Sequence, residues 1–308
     1  MAVTCFDIAV AGHFSVDTII LPTRKMPFNV LGGAVAYTSF TAKCLDASIA
    51  VISRTGANFP QAYLWWLEQE GINVSGVKRN LEETTTAFEL TYSKDFAERA
   101  LKLKSKGTPL TIEDIPKDFR AKAVHLAPIA NEISIEVAEE LKKAADIVSL
   151  DPQGLLRSFD EQGNVSRNAP IDNDIFSLIN IYKSSQNEIY ALTGESELKA
   201  AIRVVHDVGV ETVIITNGAK GAVLSVEGAQ YPITACQPQV LVDPTGAGDV
   251  FIGGFLTEYM RQKESLWCAC VGSAAASFVV EGIGPTYMGK KEQIYQRAQD
   301  ICKSEVKQ

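Results

Sequence analysis

The sequence predicts an α/β fold: a doubly wound, mainly parallel sheet flanked by helices, with a small β-sheet lid. Three observations predict it. Short apolar runs alternate with stretches of helical periodicity through most of the 308 residues, which is the rhythm of parallel strands covered on both faces. Residues 84–104 break that rhythm with two strand-like runs and no helix between them. No Pro/Ser-rich or charged tract interrupts the chain, so residues 1–308 read as a single domain.

In chain order, the apolar run at 6–11 reads as a buried strand, and the periodic stretch at 34–44 as the first helix. Strands follow at 48–53, 123–127, 147–150 and 212–216, with helices at 61–70, 134–144, 198–208 and 266–280. Residues 84–92 are rich in β-formers, and beyond the polar stretch 93–98 residues 99–104 alternate strictly, as a strand with one wet face does. These two runs form a hairpin, for which an ordinary sheet edge is the plain alternative. Sheets of this type bind ligands at the carboxyl ends of their strands, and the informative loops of this sequence fall there.

Composition excludes several functions. With 46% hydrophobic and 21% charged residues the chain can bury a substantial core, and nothing resembles a long disordered tail. A net charge of -8 argues against a phosphate-backbone binder, so no nucleic-acid partner is expected. No segment approaches the ~20 apolar residues that span a bilayer, and no basic leader precedes an apolar run, so a cytoplasmic protein without a membrane partner is expected. Six scattered cysteines suit reduced thiols, and His13, His125 and His206 do not form a ligand-spaced cluster with Cys268 and Cys270.

The most informative segment is Asp243-Pro244-Thr245-Gly246-Ala247-Gly248-Asp249, continued by Val250-Phe251-Ile252-Gly253-Gly254-Phe255. Glycines around an alanine let main-chain N–H groups converge, and the apolar run behind them reads as a helix whose N-terminus aims at the same point, an anion site. Asp249 stands at its edge, where a carboxylate can take a proton from an attacking hydroxyl while amides hold charge developing on a phosphate. A bare GxGD also fits a glycine-rich turn with Asp249 capping a buried helix. The longer string resembles the C-terminal signature of the PfkB carbohydrate kinases, the ribokinase-like family of sugar, adenosine and inositol kinases. That resemblance implies direct transfer of the γ-phosphoryl group of ATP, with Asp249 as catalytic base and Gly246, Ala247 and Gly248 as the anion hole.

The resemblance extends along most of the chain. It implies that Asp17 grips acceptor hydroxyls, two of which one carboxylate can accept from, and that Gly32 and Gly33 let the backbone approach the acceptor. Many sugar kinases carry asparagine where this sequence has Tyr37, so an aromatic here narrows the pocket, stacks on a ring, or packs beneath the lid. Glu188, after Ser185, matches the acidic residue linked to Mg2+; a first-turn helix carboxylate is its bland reading. Thr216, Gly218 and Gly221 match the nucleotide loop, with Thr245, Gly246 and Gly248 completing the ATP contacts, although a hairpin turn wants the same glycines. The lid, from about 14–31 and 84–106, would exclude water from the acceptor. Relatives often dimerise through it, with Phe88, Tyr92, Leu101 and Leu103 as an apolar face, or else these side chains cover the acceptor.

Asp151-Pro152-Gln153-Gly154-Leu155-Leu156-Arg157 resembles the inositol kinase branch, with Arg157 either a clamp on the ligand or half of a surface ion pair. The expected acceptor is therefore an inositol or a sugar. The 275–281 stretch resembles nucleoside kinases, which makes a nucleoside the alternative, and a catalytically silent nucleotide or sugar sensor is the alternative of another class. No GxxxxGK[ST] or early GxGxxG occurs, which leaves P-loop and dinucleotide chemistry without support.

Overall fold

The structure, a computed structural model, describes residues 5–94, 96 and 99–305; part of the polar link expected at 93–98 lies outside them. The chain begins with β1 (Cys5–Ala11), then leaves the main sheet to form β2 (Ser15–Ile20) and β3 (Phe28–Gly32). It returns through α1 (Ala34–Cys44), β4 (Ile49–Thr55), α2 (Gln61–Gln69) and β5 (Asn73–Arg79). A second excursion gives β6 (Ala87–Tyr92) and β7 (Arg99–Ser105), after which β8 (Arg120–Leu126), α3 (Ile135–Lys143) and β9 (Ala145–Leu150) resume the alternation. A short hairpin, β10 (Arg157–Phe159) and β11 (Val165–Arg167), precedes β12 (Ile181–Ser185), α4 (Gln186–Thr193), α5 (Leu198–Asp207) and β13 (Thr212–Thr216). Strands β14 (Ala222–Val226) and β15 (Ala229–Ile233) lead to α6 (Ala247–Met260), α7 (Ser265–Val279) and α8 (Lys291–Glu305).

The main sheet runs β15-β14-β13-β12-β9-β8-β1-β4-β5, parallel from β5 to β13 with an antiparallel edge at β14 and β15. Two apolar clusters cover its faces. One gathers α1, α6 and α7 over β1 and β4, and the other gathers α3 and α5 over β8, β9 and β13. Near-continuous apolar runs such as Ile8 to Ala11 follow from burial on both faces. Helices α6 and α7 are apolar almost all round because they lie inside the core, where Gly254 approaches Gly272 closely enough that a Cβ would meet its Cα at 3.1 Å.

The order of strands reverses at β1, with β4 on one side and β8 on the other, and the crevice at a switch point is where such sheets take ligands. Buried Glu132 ties the two strand ends together: its Oε1 accepts from His13 N and its Oε2 from Ala130 N, at 2.9 and 2.7 Å. The lid is a second sheet of order β3-β2-β6-β7, so both excursions meet in it as expected. The wet-face alternation of residues 99–104 is less clean than the sequence implies, because β7 is not an open edge. Leu103 N donates to Gly163 O at 2.7 Å and Lys102 bridges to Asn164, so the β10–β11 hairpin covers that edge.

Candidate active site

Asp249 enters the site as the third residue of α6. Gly246 ends the preceding loop in the left-handed region, at φ 78°, and its missing side chain leaves room for the Tyr37 ring, which a Cβ would meet at 2.2 Å. The helix then starts without a side-chain cap. Among the described residues the Gly246, Gly248 and Asp249 amides have no main-chain acceptor, while Ala247 N makes a long 3.5 Å contact with Pro244 O. These are the orphan donors of a helix start, and they open beside the Asp249 carboxylate.

One cavity collects Asp249, Gly246, Thr245, Asp17, Gly33 and Tyr37 from the sequence-predicted set. Asp17 stands on β2 and accepts from Phe88 N at 3.3 Å; Gly32 lies behind it, where a Cβ would meet Asp17 Oδ2 at 2.1 Å. Burial pushes the Asp17 carboxyl up to about 6. Gly33, at φ 90°, passes so close to His13 O that a Cβ would sit 2.3 Å from it. Tyr37 is buried in the first turn of α1, and its hydroxyl has no partner among the described residues. Its ring packs against the Gly246 loop and forms part of the cavity wall.

The lid closes the cavity with Phe88, Leu90 and Leu101, and about 50 Å³ remains beneath it. Phe88 and Tyr92 are buried against their own chain and are not a free apolar face for a second copy. Arg157 is also buried, at 6% exposure: Nη1 donates to Ile129 O and Nη2 to Gln153 Oε1, each at 2.8 Å. The surface ion pair is therefore excluded, because the arginine points inward.

Glu188, Thr216, Gly218 and Gly221 lie at the neighbouring strand ends rather than in the cavity. Ser185 caps α4 in a capping box, its N and Oγ donating to Glu188 Oε2 at 2.8 and 2.6 Å. Burial works against the Glu188 carboxylate, yet Lys183 and Ser185 hold its pKa below the usual range. Thr216 pairs with Ser185 across β12 and β13, which brings the turn 217–221 alongside. Gly218 and Gly221 have φ of 52° and 93°, so the β13–β14 turn accounts for both glycines.

Sequence reasoning missed Lys183 and gave no role to Gln153. Lys183 lies buried on β12 with Nζ 2.5 Å from Asp151 Oδ2, and a Cβ on Gly248 would meet that ammonium at 2.6 Å. Burial disfavours its charge, but Asp151, Asp249 and Glu188 hold its pKa above the usual value. The available signal was a lone cation in the apolar run Ile181-Tyr182-Lys183, followed in space by the carboxylate that ends β9. Burial raises the pKa of Asp249 itself, against the opposing influence of Lys183, Arg157 and Gln153.

With this geometry, comparison with known proteins is decisive. Residues 10–292 match the pfkB family carbohydrate kinase. The chain belongs to that family. It is an enzyme, a kinase whose acceptor is an alcohol group, on a ribokinase-like fold. A cytidine kinase from Thermococcus kodakarensis is 30% identical over 281 residues, covering 90% of this chain and 97% of that protein. An inositol 3-kinase from Oryza sativa subsp. japonica is 28% identical and covers 92% and 71%. Among solved structures, Arabidopsis thaliana ribokinase complexed with ribose and ATP superposes with a TM-score of 0.76 at 22% identity, covering 96% of this chain and 99% of that one. Among the described residues no helix is long and apolar enough to cross a membrane.

Proposed function

We propose that this kinase moves the γ-phosphoryl group of ATP directly to a hydroxyl of a small polyhydroxylated acceptor, an inositol or a sugar. The observation that supports this reading is the adjacency of the Asp249 carboxylate, on the cavity wall, and the orphan amides that begin α6. Asp249 takes the hydroxyl proton, the Gly246, Ala247 and Gly248 amides hold charge developing on the transferred group, and Asp17 accepts hydroxyl hydrogen bonds that orient the acceptor. Thr216, Gly218 and Gly221 border the nucleotide. Lys183, beneath Gly248, adds positive charge to the same cradle.

Mg2+ fits the donor set at Glu188. Its Oε2 is engaged by Ser185, whereas Oε1 has no hydrogen bond among the described residues and is left for metal-bound water, and a single carboxylate suffices for an ion that keeps waters and phosphate oxygens. When bound, the ion neutralises triphosphate charge.

The likeness to an inositol 3-kinase supports a polyol ring. A nucleoside is the second reading, favoured by the likeness to a cytidine kinase and by the apolar wall of Phe88, Leu90, Leu101 and Ile129, on which a base can lie. ADP formation from ATP and Mg2+ over myo-inositol, ribose, fructose, cytidine and inosine discriminates the two. Asp249→Asn lowers turnover by a factor of ~100 or more with ATP affinity retained; unchanged turnover removes the base. Thermal stabilisation by a panel member without ADP formation would mark that compound as bound but not phosphorylated.

A further inference from the structure

The Asp249 carboxylate is gripped from outside its own helix. Gln153 lies in the turn Pro152–Gly154 that follows β9, with its main-chain N–H donated to Asp151 Oδ1 at 3.1 Å. The turn is pressed against the 128–129 segment: a Cβ on Gly154 would meet Pro128 O at 2.3 Å. This fixes the backbone from which the Gln153 side chain reaches into the cavity.

That side chain lies between neighbours of opposite need. Arg157 Nη2, which can only donate, reaches Gln153 Oε1 at 2.8 Å, and Gln153 Nε2 lies 3.1 Å from Asp249 Oδ1, which as a carboxylate can only accept. A flipped amide would set donor against donor and acceptor against acceptor, so Arg157 dictates which end of Gln153 meets Asp249. Arg157 is held in turn by Ile129 O and by the Phe88 ring, 5.4 Å from its guanidinium carbon.

We infer that Gln153, oriented by Arg157, is the positioning residue for Asp249: its amide ties Oδ1 and leaves Oδ2 to receive the acceptor proton. The inference rests on Asp249 being the base. Its electrostatic direction agrees, since the Gln153 N–H joins Lys183 of β12, Arg157 and Arg99 of β7 in opposing the rise that burial imposes on the Asp249 carboxyl. Without that donor the carboxylate both loses its aim and protonates more readily.

The test compares wild type, Gln153→Leu, Arg157→Lys and Asp249→Asn, using ADP formation with ATP, Mg2+ and the most active acceptor of the panel across a pH series. In Gln153→Leu, kcat falls at least about tenfold, the scale of a lost hydrogen bond to a charged group, and the acid limb of the kcat profile moves to higher pH. Arg157→Lys moves both in the same direction by less, and KM for ATP stays put. A carbon-13 titration of aspartate carboxyls, with Asp249 assigned by its loss in Asp249→Asn, gives an acceptor-independent readout: its midpoint rises in Gln153→Leu. An unmoved midpoint and limb, or a change confined to acceptor KM, overturns the inference. If Asp249→Asn keeps its turnover the base reading fails, whereas an inactive Asp249→Asn beside an unmoved Gln153→Leu profile sinks this inference alone.

Discussion

The hydroxyl of Tyr92, on lid strand β6, lies 2.7 Å from Thr245 Oγ1 on the loop that starts α6. Thr245 directs its own hydroxyl hydrogen to Asp243 Oδ1 at 2.5 Å, so Tyr92 is the donor and the lid is fastened to the anion loop it covers. Tyr92→Phe removes this lid-to-loop bond, about 1 kcal/mol, which shifts the closed-to-open ratio roughly fivefold, together with a hydrogen bond to Arg99 inside the lid itself. Acceptor KM rises by a similar factor, and ADP forms faster without acceptor because water reaches the site. Steady-state kinetics with and without acceptor read both, and identical values in the two proteins would mean that the contact does not hold the lid.

Asp17 makes stability and function pull apart. Burial raises its carboxyl from 3.8 to about 6 in the folded protein, so the native state binds the proton more tightly than the unfolded chain. The stabilising contribution is complete below 3.8 and is lost as pH rises through 6. A shift of this size corresponds to about 3 kcal/mol at neutral pH. Asp17→Asn is expected to melt higher than wild type at pH 7, to lose that advantage in acid, and to bind acceptor more weakly; denaturation curves at several pH values and acceptor KM check it.

Gly248→Ala tests the cradle. A Cβ there meets only Lys183, Nζ at 2.6 Å, so the ammonium must move away from Asp151 while the helix backbone tolerates alanine. The protein folds with a loss of about 1–3 kcal/mol and turns over at least about tenfold more slowly. Gly194→Ala, at the left-handed residue that ends α4, is the contrast. Nothing lies within 4 Å of its Cβ, so only the left-handed backbone resists, at about 1–2 kcal/mol. Melting curves beside ADP formation separate the two variants, and equal turnover in both would argue against the cradle.

Glu188 holds two roles that one substitution splits. Glutamine serves in a capping box as well as glutamate, so Glu188→Gln keeps the α4 start and lowers stability by about 1–2 kcal/mol through the lost charge beside Lys183. The lost charge raises the Mg2+ concentration needed for half-maximal activity. A Mg2+ titration unchanged from wild type would leave Glu188 as a helix cap alone.

Much of the scaffold was legible because its signals are local. Parallel strands buried on both faces read as apolar runs, and β1, β4, β8, β9 and β13 stand within a few residues of the spans expected; α1 matches its span, and α3 begins at its Ser134 cap. Strands β5 and β12 escaped notice because charged or polar residues interrupt them: Lys78 and Arg79 in β5, Lys183 to Ser185 in β12. Their strand character comes from neighbours in the sheet, which a local window does not contain.

The order of residues was enough to place a glycine cradle ahead of a buried helix and a carboxylate on its first turn, because both depend on neighbours a few positions apart. Which groups face that carboxylate was decided only by folding. Gln153 and Lys183 reach Asp249 and Gly248 from strand ends far away in the chain, and Tyr92 reaches Thr245 from a separate sheet. Such contacts follow from the register of parallel strands and from the seating of the lid, which are set by burial summed over the whole sheet and leave no mark at any one position.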